Sequence, residues 1–101
     1  MNKDHHTFRA EVWLYPGAVA SWHFITVPKK MSVEVKARFG TSAKGWGSLP
    51  VVATVGKTSW KTSIFPDKRS GAYILPVKAE VRKKEGMRAG DMVNVGLSIR
   101  A

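Results

Sequence analysis

Lys78 and Arg82 stand four residues apart in "VKAEVRKKEG", a stretch that reads as a short helix. Val77 and Val81 share the same spacing, and Gly86 occupies the usual C-terminal stop position. Side chains four apart on a helix share a face, so the two cations project together. No Ser, Thr, Asp or Asn caps the start near Val77; the chain arrives through Leu75-Pro76, and the first charged residues it meets are basic. A helix start carries unpaired N–H groups and partial positive charge, which favour acids. Cations placed there describe an anion cradle, with Lys68 and Arg69 joining from the preceding loop. A ligand phosphate or carboxylate, or Asp67, then supplies the missing negative charge. The competing reading leaves Lys78 and Arg82 in solvent, balanced by Asp67, Glu80 and Glu85.

The tryptophans form a second constellation. Trp13 and Tyr15 fall on the polar face of an alternating segment, Trp22 and Trp60 read as core or rim, and Trp46 sits in the glycine-rich "KGWGS" loop. Aromatics interleaved with Lys44, Lys57 and Lys61 suit base stacking on single-stranded nucleic acid. Aromatics that close a small barrel are the structural alternative. Flanking glycines single out Trp46 as a ligand or lid residue.

Little else here does chemistry. His23, between Trp22 and Phe24, reads as a packed, hydrogen-bonded side chain, and His5 and His6 fall in a frayed terminus that makes no closed metal site. Ser59 and Ser63 lack a His-Asp partnership, and the acids do not pair for hydrolytic work. "GTSAKGWG" lacks the ending of a phosphate-binding Walker loop. Gly90-Asp91 reads as a turn whose carboxylate bonds nearby backbone N–H groups. We therefore expect no catalytic residues, no metal and no cofactor.

The chain of 101 residues has the size of one small domain and contains no cysteine, which removes disulfides and thiolate chemistry and fits a reducing compartment. Its net charge of +10 favours anionic partners. Seven basic residues face three acidic ones in 1–56, and ten face four in 57–101, so the excess is spread and forms no basic arm. No window approaches the roughly 18 apolar residues of a membrane span, and the N-terminus has no signal-peptide core. The expected location is cytoplasmic, with no membrane contact.

The elements that must position these residues follow from periodicity. "TFRAEVWLY" alternates, with Phe8, Ala10, Val12 and Leu14 on one face. "SWHFITV", "SLPVVATV", "TSWKTSIF", "GAYIL" and "MVNVGLSI" supply five further strands. "KKMSVEVKARFG" alternates too, but Pro28 before it, Gly40 after it, and Lys36 and Arg38 near its end decide for helix. The order is then strand-strand-helix-strand, twice. The two lead-ins, "FITVPKKMSVEV" and "YILPVKAEV", each run from an aromatic through Ile to Pro and Lys. Two such halves about a pseudo-two-fold axis close a six-stranded barrel and leave no open sheet edge.

The segments "WHFITVP", "TSIFPDK", "GAYILPVKAEVR" and "GMRAGDMVNVGL" resemble a bacterial family known as domain of unknown function nineteen-oh-five, from about Phe8 to Ile99. The resemblance implies a small double-split β-barrel, related in shape to the AbrB/MazE-type barrels. "GMRAGDMVNV" is similar to the helix-turn-strand signature of those DNA-binding proteins. It implies no established activity.

The expectation is thus a mainly β protein: a closed six-stranded double-split-type barrel with two short helices and a pseudo-two-fold ββαβ repeat. Residues 1–6 are expected to be a disordered segment and 7–101 the single barrel domain. Its expected role is a non-enzymatic binding module for an anionic partner, either nucleic acid or a small phosphorylated or carboxylated ligand. The candidate ligand residues are Lys68, Arg69, Tyr73, Lys78, Arg82, Trp22, Trp46 and Trp60. The alternative is a small enzyme or metabolite-binding barrel in which Trp22, Trp60 and Tyr73 wall an apolar pocket. A third is a domain that acts only within an assembly. Monomer and homodimer both stay open.

Overall fold

The computed structural model describes residues 5–17 and 21–101. Six strands, β1 (His5–Leu14), β2 (His23–Thr26), β3 (Leu49–Val55), β4 (Thr58–Asp67), β5 (Ala72–Pro76) and β6 (Met92–Ile99), close into a barrel in the order β1-β2-β5-β4-β3-β6. Helix α1 (Lys29–Phe39) follows β2 and α2 (Ala79–Glu85) follows β5, as the sequence predicts. Every strand pair is antiparallel. Alternation drives the closure: β3 buries every second residue, Leu49, Val51, Ala53 and Val55, against Val12, Ile25, Ile64, Leu75 and Leu97. A closed ring of strands also satisfies both edges of each one.

The two long strands are shared between half-sheets, which makes the barrel a double-split one. β1 pairs with β6 over His5–Glu11 and then with β2 over Val12–Leu14. β4 pairs with β3 over Thr58–Ile64 and then with β5 over Phe65–Asp67. Exchanging β1 with β4, β2 with β5 and β3 with β6 leaves the strand order unchanged, so the expected pseudo-two-fold is present. Its register is exposed by two matching bonds: Val27 N–H donates to Tyr73 O at 2.9 Å, and Val77 N–H donates to His23 O at 2.9 Å. Position 27 therefore matches 77, and 23 matches 73. The sequence reading set Pro28 against Pro76. In the structure Pro28 matches Lys78, the residue that likewise precedes its helix, whereas Pro76 lies in β5 opposite Phe24.

Helix wins over strand in 29–39 because only one stripe is wanted inside. Ser32 and Val35 are buried and Met31 and Phe39 partly so, while Val33, which a strand would place on the same face as Val35, is exposed. α2 ends at Gly86 in the left-handed conformation, φ 63°, with its cap N–H on Arg82 O. The expected turn before β6 is present: Arg88 N–H donates to Asp91 Oδ2 at 2.9 Å. One boundary moves. β1 begins at His5, not Thr7, because His5 and His6 pair with Ser98 and Leu97, and the His5 ring bonds Ser98 Oγ at 2.9 Å. Residues 1–4 of the expected N-terminal segment lie outside the described residues. Among the described residues no helix is long and apolar enough to cross a membrane.

Candidate functional site

Where β4 leaves β5, the wall opens. Pairing between them runs only from Phe65 to Asp67, so the earlier part of β4 follows β3 while β5 turns away toward α2. The gap is a cavity of about 640 Å³. Trp60, Lys61, Thr62 and Phe65 line it from β4, Trp22, His23 and Phe24 from β2 and its approach, and Ile74 and Pro76 from β5. Lys78 and Arg82 border it at α2, and Trp46 closes one side from the turn before β3. Among the described residues the wall is aromatic and aliphatic, the charged groups are Lys61, Lys78 and Arg82, and no carboxylate lines it.

Two of the polar groups, Arg82 and His23, are held by hydrogen bonds. The Arg82 Nε–H donates to Val77 O at 3.2 Å, which leaves the terminal amino fork for another acceptor. Lys78 is exposed, with its Nζ 3.5 Å from Glu80 Oε1. The His23 ring Nδ1 lies 2.9 Å from Ser21 O. A carbonyl only accepts, so Nδ1 carries the proton of this bond. The sequence places His23 in the packed wall; the structure adds that it borders the cavity.

Symmetry shows how the opening arises. Ser32 is the counterpart of Arg82: its hydroxyl donates to Val27 O at 3.2 Å, just as Arg82 Nε–H donates to Val77 O. The Ser32 oxygen also accepts the Tyr73 N–H at 3.0 Å, and both residues are buried. In the first half a small hydroxyl makes these bonds. In the second half a long cation occupies the matching place and a cavity stands beside it.

Of the eight residues singled out by sequence, the structure brings together Trp22, Trp46, Trp60, Lys78 and Arg82. It separates the other three. Lys68 and Arg69 occupy the β4–β5 turn, and β5 carries the chain about 13 Å away from them, at roughly 3.3 Å per residue, before α2 begins. The four-cation cradle is therefore not assembled. The turn instead lies by Lys29 at the start of α1, whose Nζ would sit 3.0 Å from a Cβ at Gly71. Arg69 is also committed elsewhere, with its guanidinium 4.8 Å from the Tyr15 ring centre and 5.6 Å from that of Trp13. Those rings pack with Phe24 at 5.2 and 5.9 Å, and Trp13 Nε1–H donates to Thr26 Oγ1, so they form a surface cluster and not a free stacking platform. Tyr73 is buried in the core, where burial raises its phenol above the ordinary 10.0.

Asp67 does not cap α2 either. It accepts from Ser70 Oγ at 2.9 Å and Arg69 N–H at 3.4 Å, and its Oδ1 lies 3.6 Å from Arg69 Nε. Burial pushes its carboxyl up, but the Ser70 and Arg69 bonds and the Arg69 charge outweigh this and hold it below the ordinary 3.8. A depressed carboxylate stabilises the fold above its unfolded value, and that contribution is lost as pH falls through the folded one. Asp67→Asn should therefore melt below the parent at neutral pH, with the gap closing as pH drops below 3.8. Thermal melts across that range check it; a gap independent of pH would refute it.

Sequence reasoning did not gather Lys61, Phe65 and His23 around α2. Phe65, just before Pro66, is where β4 passes from pairing with β3 to pairing with β5, and that proline was the available signal. A second depression, of about 890 Å³, lies by His5, Arg9, Asn94 and Glu85. It mixes both signs of charge, and Glu85 there is already taken by Thr58 Oγ1 at 2.6 Å and Lys57 N–H at 3.3 Å. The aromatic cavity is the better candidate, because its charges agree in sign and its Arg82 fork lacks a protein acceptor in the bonds described.

Residues 8–97 match the model of a family described as Domain of unknown function (DUF1905). No curated protein matches the chain significantly.

Proposed function

This chain belongs to the DUF1905 family, and from its cavity we propose that it is a binding module for a small amphipathic anion, an apolar body carrying one carboxylate or phosphate. The observation that carries the reading is the meeting of an aromatic-walled cavity of about 640 Å³ with Lys61, Lys78 and Arg82 and, among the described residues, with no lining acid. Apolar walls with a few convergent polar groups are the usual make-up of a small-molecule site. The body of the ligand is buried against Trp22, Trp60 and Phe65, and its acid meets the Arg82 fork, with Lys78 alongside. The helix start contributes little, since α2 has only seven residues. The charge comes from the side chains.

The reading joins two sequence expectations, an anionic partner and an aromatic pocket. It is tested by calorimetric titration with 2-naphthoate, 2-naphthyl phosphate and the uncharged 2-acetylnaphthalene. Both acids should bind at least about tenfold more tightly than the ketone, the equivalent of one charge-assisted hydrogen bond. Equal affinity for acid and ketone would remove the anion from the proposal. A single-stranded oligonucleotide that binds with steep salt dependence while the naphthyl acids do not bind would replace it with a nucleic-acid role.

A further inference from the structure

Trp46 is the most costly residue in the cavity wall. Its side chain is 93% exposed, and it is the one non-glycine among the described residues with a positive φ, at 63°. Left-handed backbone at such a residue costs on the order of 1 kcal/mol or more. The turn that holds it is pinned. Lys44 N–H donates to Ser48 O and Gly47 N–H to Lys44 O, each at 2.9 Å. Gly47, at φ 79°, passes so near β4 that a Cβ there would lie 3.1 Å from Pro66 Cγ. Trp46 is thus held out on a braced loop at the edge of the cavity, and it buries little of its own surface.

The other indoles sharpen the point. Trp22, Trp46 and Trp60 line one cavity, yet among the described residues none of the three makes a ring–ring contact, whereas Trp13, Tyr15 and Phe24 contact one another. Three indoles around a space and not touching each other leave room for another ring. We infer that the ligand's apolar body is a planar aromatic ring system and that Trp46 supplies one face of the stack that holds it. The inference rests on the anion-binding reading above and names the class of ligand for that site. An arene bearing a carboxylate or phosphate fits both parts. Its ring lies offset against an indole face, as aromatic pairs prefer, and its acid extends to Arg82. A saturated body of the same size fills the volume but gains nothing from flat walls.

The test compares 2-naphthoate with its saturated counterpart, decahydro-2-naphthoate, by calorimetry on the parent protein and on Trp46→Ala. The exposed position of Trp46 lets the variant fold. The parent should prefer the aromatic acid by about threefold to tenfold, the usual stacking increment beyond area burial. Trp46→Ala should abolish that preference, weakening the aromatic acid more than the saturated one. Tryptophan emission should shift on binding in the parent and shift less in the variant. If both acids bind the parent equally, or the preference survives in Trp46→Ala, the stacking role is wrong and the anion site stands. If neither acid binds, the cavity reading fails and the inference goes with it.

Discussion

Arg82→Gln should weaken 2-naphthoate binding about tenfold to a hundredfold and barely move the melting temperature. The side chains match up to the first nitrogen: the glutamine amide nitrogen sits the same number of bonds from Cα as arginine Nε. The bond to Val77 O, 3.2 Å in the parent, can therefore be kept. What is lost is the terminal amino pair and the charge. A hydrogen bond to a charged group is worth roughly 1.5–3 kcal/mol, which sets the expected range. Arg82→Lys is the informative companion. It retains the charge but gives up the planar fork, so it should recover part of the affinity and not all of it. Calorimetric titration of the three proteins, with melts as the folding control, makes the measurement. An unchanged affinity in Arg82→Gln would exclude this residue from the site.

The largest stability effect is expected at the symmetry-related position. Ser32→Ala should destabilise the barrel by about 1–3 kcal/mol, because the buried Tyr73 N–H loses its acceptor. For a domain of this length the melting temperature should fall by roughly 5–20 °C. Alanine differs from serine by one oxygen, so the loss of packing is negligible and the change reports the hydroxyl bridge. Ligand affinity should not follow, since Ser32 serves the half of the barrel without the aromatic cavity. Thermal melts and a titration of the same preparation separate the two. A melting temperature equal to the parent's would mean that the bridge contributes nothing net. In this pseudo-symmetric barrel the same backbone carbonyl position is served by a buried hydroxyl on one side and by a cation bordering the cavity on the other.

Alternation and punctuation were enough to read the elements. Leu49, Val51, Ala53 and Val55 announce β3 two residues at a time, and Pro28 and Gly40 bracket α1. Those signals are local, spanning a few residues, and a strand or a helix is a local decision. The repeat order and the closed barrel followed because six short strands have few other ways to satisfy their edges. Exposed Val33 shows the same logic from the other side. A helix needs only one apolar stripe, and the sequence alone favoured helix there.

The site obeyed different rules. Lys68 and Arg69 look like neighbours of Lys78 and Arg82 along the chain, but an extended strand lies between the pairs and takes them to different ends of the barrel. Trp22, Trp46, Trp60 and Arg82 look unrelated along the chain and meet at one cavity. The register of the two halves was likewise hidden: the Pro28–Pro76 likeness suggests one alignment and the Val27 and Val77 hydrogen bonds enforce another. Local pattern was sufficient to say which segments are strands and helices, and which side chains could bind an anion or stack on a ring. Which of those side chains share a space depends on where β4 parts from β5 when the barrel closes, and no local period encodes it.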